Sequence, residues 1–317
     1  MFKNKSIGVV VPAYNEEKLV SNVILTMPDF VDKIIVVNDA SKDTTELIVR
    51  ELMKKNKKII LINHKQNQGL GKSLIDGYLK ARGLKLDITA VMAGDAQMDP
   101  SDLSKVIRPI VEKKADYVKG NRLLRPGVYK IMPFYRFLGN SFLTLLTKFA
   151  TGYWHLIDPQ CGYTAISKNA LKSIDIQKMT KRYGYNAHIL NMLNLSNYKV
   201  RDVEVKPVYG LAKSRIKLRT YIPKISFLLL KLYLRRIFHK YLVREFHPLV
   251  LFYLLSLVCI VLISVPLGLR FLYVFFITER VSSDTTLIIF TLSTMMGFLS
   301  FFFGMWMDME DNKTLKP

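Results

Sequence analysis

Two stretches without a single charged side chain restrict this chain more than any other feature: residues 249–269 (LVLFYLLSLVCIVLISVPLGL) and 287–307 (LIIFTLSTMMGFLSFFFGMWM). A helix rises about 1.5 Å per residue, so either stretch covers the roughly 30 Å hydrocarbon core of a bilayer. Helices in the core of a globular protein usually keep a polar stripe, and these have none. Both are read as transmembrane helices. Pro266 and Gly268 fit that reading, because membrane helices tolerate both residue types. The polar opening MFKNKS leads straight into a strand-like run and has no signal-peptide pattern.

Charge is distributed just as unevenly. Of 47 lysines and arginines, only Arg270, Arg280, Lys313 and Lys316 lie beyond His247, so the net charge of +22 belongs to the part before the apolar stretches. The positive-inside rule places that part in the cytoplasm, and two crossings return the C-terminus to the same side. The expected organisation is a cytoplasmic domain over residues 1–215, amphipathic helices at the membrane surface over 216–247, a two-helix membrane region over 248–309 and a polar tail over 310–317. Cys161 falls in the polar domain and Cys259 in a span, so no intramolecular disulfide is expected, as in a reducing compartment.

Before His247, short apolar runs alternate with amphipathic stretches. Residues 7–11, 34–37, 59–62, 88–93 and 117–118 read as strands, with helices predicted near 18–26, 43–54, 71–81 and 101–113. This alternation implies an α/β fold with a mainly parallel sheet covered by helices on both faces. Such sheets bind ligands at the carboxyl ends of their strands. Polar residues gather there: PAYNEE from Pro12, NDASKDTT from Asn38, NHKQNQGLGKS from Asn63 and GDAQMDP from Gly94.

Two familiar phosphate motifs are missing. A Walker loop ending in GKS needs glycine where Gln66 stands, and a dinucleotide fingerprint starting at Gly69 needs glycine where Leu74 stands. GLGKS therefore reads as a loop and helix start whose glycines permit a tight turn, with Lys72 a candidate phosphate contact. Two further segments, residues 128–153 and 218–246, interleave aromatic and aliphatic residues with lysine and arginine and contain almost no acids. They read as helices lying in the membrane interface, bases toward lipid phosphates; ordinary basic helices packed on the sheet domain are the other reading.

Asp95 and Gln97 stand two apart just after the fourth strand-like run. In an extended backbone their side chains point the same way, so their oxygens can meet on one hard cation, Mg²⁺ or Mn²⁺. Such an ion, retaining several waters, can bridge a diphosphate and stabilise the charge that develops on it as it leaves. Asp99 before Pro100 reads as a helix N-cap with proline at the first helical position.

VVVPAYNEE, VVNDASKDTT, NQGLGKSLIDGY, GDAQMDP and DPQCGYTAIS follow the order and approximate spacing of family 2 glycosyltransferases of the GT-A fold. The chain resembles in particular the polyprenyl-phosphate sugar synthases, the group that includes dolichyl-phosphate mannose synthase. The resemblance covers roughly residues 6–214, and the basic helices and paired apolar stretches extend it to almost the whole chain. It implies a Rossmann-like GT-A domain that transfers a sugar from a nucleotide-sugar donor to a polyprenyl or dolichyl monophosphate. By the same resemblance Pro12, Tyr14, Glu16 and Asp39 match nucleoside-binding positions, and Asp95 and Gln97 match the metal-site acid and its partner. Arg122 and Arg136 match the arginines that receive the lipid phosphate, Lys213 matches a late basic residue near the phosphates, and Asp158 lies in the segment lining the sugar pocket.

The chain departs from the family pattern in two places. Ala93 stands where the usual Asp-x-Asp motif has its first acid, and YGYN puts Asn186 where an acid is common. The reaction expected is inverting, with the acceptor phosphate already ionised, so that a dedicated general base is not required. A UDP-sugar, glucose or N-acetylglucosamine, is preferred over GDP-mannose because GDAQMDP and YGYN differ from the mannose-type pattern. Two enzymic alternatives are a GDP-mannose-using synthase and a polysaccharide synthase; against the second, Trp154 follows Tyr153 and no Gln-x-x-Arg-Trp motif occurs. An inactive membrane scaffold is the alternative that Ala93 supports. No nucleic-acid partner is expected, because the bases concentrate beside apolar helices, as lipid binding requires. A homo-oligomer, dimer or tetramer, is compatible with the sequence.

Overall fold

The computed structural model describes residues 1–124, 134–206, 208, 218–277 and 283–317, and within them residues 134–138, 140 and 218–221 by backbone alone. Among the described residues seven strands form one sheet: β1 (Ile7–Ala13), β2 (Lys33–Asn38), β3 (Ile59–Asn63), β4 (Ile88–Val91), β5 (Tyr117–Asn121), β6 (Thr164–Ser167) and β7 (Val200–Glu204), in the order β3-β2-β1-β4-β6-β5-β7. Only β6 runs against the others, pairing antiparallel with both β4 and β5. The sheet is thus mainly parallel, as the alternating pattern requires. Every residue of β1 (IGVVVPA) is buried, because helices cover both faces of a central parallel strand.

Those helices divide cleanly between the faces. Val20, Val23 and Ile24 of α1 (Val20–Leu25), Val49 of α2 (Thr45–Lys55) and Leu103, Val106 and Ile107 of α4 (Leu103–Val111) pack on Ile7, Val9 and Val11. On the opposite face Leu74, Ile75 and Tyr78 of α3 (Leu70–Gly83) meet Val10, Ile35 and Val37. The period-2 alternation of β1 and the near-fourfold period of the helices are what make this two-sided core possible. A third cluster joins α5 (Phe134–Thr151), α7 (Tyr185–Leu195, after the short α6, Lys168–Ser173) and α8 (Leu218–Arg236) through Ala150, Ala187, Ile225, Leu229 and Leu232. Asn191 fastens it by donating to the carbonyls of Ala150 (2.8 Å) and Leu232 (3.0 Å).

Helix α8 therefore packs as an ordinary helix along one side, yet Ile222, Phe227, Leu230 and Leu234 remain exposed, with Lys224 and Lys231 beside them. It is apolar on two faces and basic between them.

Three details differ from the sequence reading. The fourth strand stops at Val91, short of Ala93. Strands β6 and β7 went unread: β6 has four residues, and β7 (VRDVE) is an edge strand carrying three charges, which is how sheet edges avoid pairing with other chains. The glycines of GLGKS serve as expected at the start of α3. Gly69 has φ +95°, and a Cβ on Gly71 would overlap the Thr180 carbonyl.

The chain forms two compact units, Met1–Leu234 with Thr314–Pro317, and Arg235–Lys313. Within the second, Leu249–Ile277 and Asp284–Leu315 are helical and long and apolar enough to cross a membrane. Small residues mediate their packing: Gly297 lies against Cys259 and Ile260, Gly304 against Tyr253, and Ser264 bonds Ser293 at 2.8 Å. At one end Arg236 and Asp308, both fully buried, form a bidentate pair (2.6 and 2.8 Å), with the Tyr241 hydroxyl donating to the same carboxylate.

Overpacking at a backbone contact is expensive, whereas alanine in open helical space restricts only the unfolded chain. Gly71→Ala is expected to destabilise the protein by about 1–3 kcal/mol, and Gly83→Ala, where nothing lies within 4 Å of the added carbon, to stabilise it by up to about 1 kcal/mol. Thermal melts of the purified full chain in detergent measure both.

Candidate active site

Parallel strands send their chains out at one edge, and the sheet order reverses on either side of β1. The switch point lies between β1 and β4, where open α/β sheets bind ligands. Pro12 accepts the Gly94 N–H (3.0 Å) and Ala13 the Asp39 N–H (2.9 Å), tying the exits of β1, β2 and β4 together. Each of the three loops that follow carries a non-glycine residue in the left-handed region: Asn15, Ala40 and Ala96, all at φ +56°. Such residues cost about 1–3 kcal/mol each and concentrate at functional sites.

The first two loops are sewn to one another. The Asn15 N–H donates to Ser41 Oγ (2.9 Å), the Lys42 N–H to Asn15 Oδ1 (2.8 Å), and the Glu16 N–H to Thr45 Oγ1 (2.9 Å). Pro12, Tyr14 and Glu16 are thus presented on a fixed turn, Pro12 buried and the other two half-exposed. Asp39 borders them but is itself buried. Its carboxylate accepts the Gln68 and Gly69 N–H groups (2.9 and 2.8 Å) and lies 2.7 Å from His64 Nδ1. His64 Nε2 faces Asp76 at 2.9 Å, and Asp76 also receives the Lys72 ammonium. Lys72, a candidate phosphate contact by sequence, is therefore engaged by an acid one helical turn away.

Asp95 is half-buried on the loop after β4, and burial pushes its carboxyl above the usual range, opposed by the Gln97 N–H that it accepts at 3.1 Å. The extended geometry expected for Asp95 and Gln97 is not found. Ala96 turns the chain between them, so strand alternation does not align their side chains. Ala93, in the place of the missing acid, gives its N–H to Met98 Sδ (3.4 Å). Asp99 caps the following turn through Ser101, with Pro100 in first position.

Among the described residues no three His, Cys, Asp or Glu side chains gather to hold a metal. A single carboxylate whose burial disfavours its own charge nonetheless fits a hard divalent cation that retains waters and takes its other oxygens from a diphosphate.

Across the sheet, Arg122 and Asp158, expected in separate roles, form one bidentate pair: Nε to Oδ2 at 2.8 Å and an Nη to Oδ1 at 3.1 Å. Asn186 is buried, accepting from Lys119 Nζ (3.1 Å) and donating to the Gln160 carbonyl (3.1 Å). Arg136 lies on α5, but its side chain, like all of Lys213, is outside the described residues.

Sequence reasoning missed His64 and Lys119. Lys119 is fully buried, donates also to the Cys161 carbonyl (2.7 Å), and is pushed down to about 8 by burial. A basic residue inside the apolar run YVKGN was the available signal. His64 had a weaker one, its place immediately after β3.

A mainly parallel sheet with a polar site at its switch point and one reversed strand defines a GT-A type domain. Its fold is similar to that of a glucosyl-3-phosphoglycerate synthase of Mycobacterium tuberculosis, whose crystal structure holds Mn²⁺, UDP and glucosyl-3-phosphoglycerate: TM-score 0.55, 20% identity, covering 74% of this chain and 80% of that one. The glycosyl transferase family 2 model matches residues 8–175, and the chain belongs to that family. It is similar to a UDP-N-acetylglucosamine–dolichyl-phosphate N-acetylglucosaminyltransferase of Methanococcus voltae, 36% identical over 219 residues, 65% of this chain and 87% of that protein. It is also similar to a dolichyl-phosphate beta-glucosyltransferase of Trichomonas vaginalis, 30% identical over 212 residues, 62% of each chain.

Because the folded protein raises the Asp95 carboxyl, ionising it opposes folding, and the penalty grows as pH rises from the ordinary carboxylate value through the raised one. Without divalent cations, Asp95→Asn is expected to melt above the parent at neutral pH. The gap should close as the solution is acidified below the carboxylate range, and a pH series of melts with chelator present measures it.

Proposed function

We propose that this chain is a membrane-bound inverting glycosyltransferase that moves a sugar from a UDP-sugar, UDP-N-acetylglucosamine or UDP-glucose, to a polyprenyl or dolichyl monophosphate. The observation that carries the reading is one chain combining a half-buried Asp95 at the switch point of a GT-A sheet with two helices long and apolar enough to cross a bilayer. Family membership supports the reaction type, and the relatives from Methanococcus voltae and Trichomonas vaginalis support the acceptor class. The first of them supports a UDP donor.

In this reading Pro12, Tyr14 and Glu16 bind the nucleoside on the turn that the loop after β2 holds rigid, and Asp39 fixes the Gln68–Gly69 backbone beside it. Asp95, with Gln97 on the same loop, would hold a Mg²⁺ or Mn²⁺ ion, which would supply countercharge to the diphosphate. Asp158 and Asn186 border the sugar. Both amide atoms of Asn186 are engaged, so it orients and does not exchange a proton. Arg122, with Arg136 and Lys213, receives the acceptor phosphate and reduces the repulsion between two phosphate-bearing substrates. An anionic phosphate oxygen attacks the anomeric carbon as the bond from that carbon to the diphosphate oxygen breaks on the opposite side. The product is a lipid-phosphate-sugar of inverted configuration, and no proton has to be removed.

A prenyl phosphate cannot leave the bilayer without exposing CH₂ units at about 0.8 kcal/mol each, so the reaction is placed at the membrane surface. The two spans and the basic, doubly apolar helix α8 would keep the enzyme there, with both termini on the cytoplasmic side.

Membranes containing the chain, supplied with a prenyl phosphate and radiolabelled UDP-N-acetylglucosamine, UDP-glucose or GDP-mannose in turn, are expected to yield a lipid-linked sugar from a UDP donor on thin-layer analysis. Asp95→Ala or chelation should lower that rate by about 10²-fold or more. Label appearing only on polymer, or equal rates for parent and Asp95→Ala, would refute the reading.

A further inference from the structure

Beneath the Arg122–Asp158 pair lies a side chain to which no role has been given. Asp202, on the edge strand β7, reaches across to the exit of β5. One of its oxygens, Oδ2, accepts two hydrogen bonds: from Asn121 Nδ2 at 2.8 Å and from the Ile157 N–H at 2.7 Å. The two donors belong to different segments, and each immediately precedes one member of the ion pair. Asn121 completes the arrangement by accepting the Leu123 and Leu124 N–H groups (2.9 and 3.2 Å), which fixes the turn on which Arg122 sits. On the other segment, Asp158 Oδ2 receives the Arg122 N–H at 3.3 Å as well as its guanidinium.

We propose that Asp202 is a positioning residue for acceptor binding: through Asn121 and the Ile157 backbone it sets the distance between the β5 exit and the 157–158 segment, and so the orientation of the Arg122 guanidinium toward the acceptor phosphate. The inference rests on the reading of Arg122 given above. It goes beyond that reading by assigning the orientation of the arginine to a carboxylate on a strand that the recognisable motifs do not include.

Two observations favour positioning over a simple charge effect. Among the described residues Asp202 Oδ1, which is buried, has no hydrogen-bond partner, so one oxygen carries the function. Burial also pushes the carboxyl up from its ordinary value, against the pull of the buried Lys119, so the site does not favour the charge as such. A neutral acceptor of the same shape should therefore serve nearly as well, since an amide oxygen can receive both donors while its NH₂ replaces the unpartnered Oδ1. A floppy or rotated guanidinium, in contrast, loses the alignment on which a bidentate phosphate contact depends.

The test uses the full-length protein in membranes and reads the KM for prenyl phosphate, the KM for the UDP-sugar and kcat. Asp202→Ala is expected to raise the KM for prenyl phosphate by about tenfold with the KM for the UDP-sugar unchanged. Asp202→Asn is expected to stay within about twofold of the parent, and Arg122→Ala to raise the prenyl-phosphate KM at least as far as Asp202→Ala. If Arg122→Ala leaves that KM unchanged, the reading of Arg122 fails and the inference fails with it. If Arg122→Ala raises it and Asp202→Ala does not, the reading stands and the inference alone is overturned. Equal damage from Asp202→Asn and Asp202→Ala overturns it too, as does a parallel loss of UDP-sugar binding, which marks a merely structural residue. Should Asp202→Ala fail to accumulate, Asn121→Asp keeps the acceptor for the turn but removes the donor to Asp202, and the same outcomes decide.

Discussion

Four parallel strands lying side by side must release their chains at one edge, and that constraint organises everything polar in the first unit. Strands β1, β2 and β4 are buried apolar ribbons with almost no room for functional groups. Chemistry has to sit where they end. The exits of β1, β2 and β4 are close enough for backbone bonds to join them, and the turns this demands leave Asn15, Ala40 and Ala96 in a backbone region that ordinary residues avoid. The core is rigid enough to hold that strain, so the site begins from a fixed frame.

Charge is handled differently on the two sides of the frame. On one side Asp39, His64, Asp76 and Lys72 form a chain of alternating partners, each engaged by the next. On the other side Lys119, Asp158, Asp202 and Arg122 lie close together, with amides and backbone groups satisfying most of the remaining bonding capacity. Buried charges persist only when such partners are supplied, since an isolated one is penalised by several kcal/mol. In the second unit Arg236 and Asp308 meet the same requirement with Tyr241 and Asn312. These clusters fix the geometry of the segments that carry them.

How much of this was legible depended on whether a signal was local. Strands β1 to β5 were recognisable from apolar runs closed by polar loops, and the helices between them from their period. β7 was not, because an edge strand with Arg201, Asp202 and Glu204 has no apolar run to recognise. Asp95 stood out as an acid after a strand, but the turn at Ala96 was invisible, since nothing in the residue type alanine announces φ +56°. Arg122 and Asp158 were each singled out, yet their pairing could not be read, because 35 residues and a helix separate them in the chain.

The order of residues by itself determined the class of architecture, the two long apolar helices, the excess of base before them and the family signature, because each is a matter of period, composition or spacing along a local stretch. Tertiary structure alone decided which charged groups are buried, which of them face one another, and that Asp202 and Asn121 support the segments bearing Arg122 and Asp158. Hydrogen bonds between distant segments depend on ångström-scale distances set by the packing of the whole sheet, and no short window of sequence contains that information.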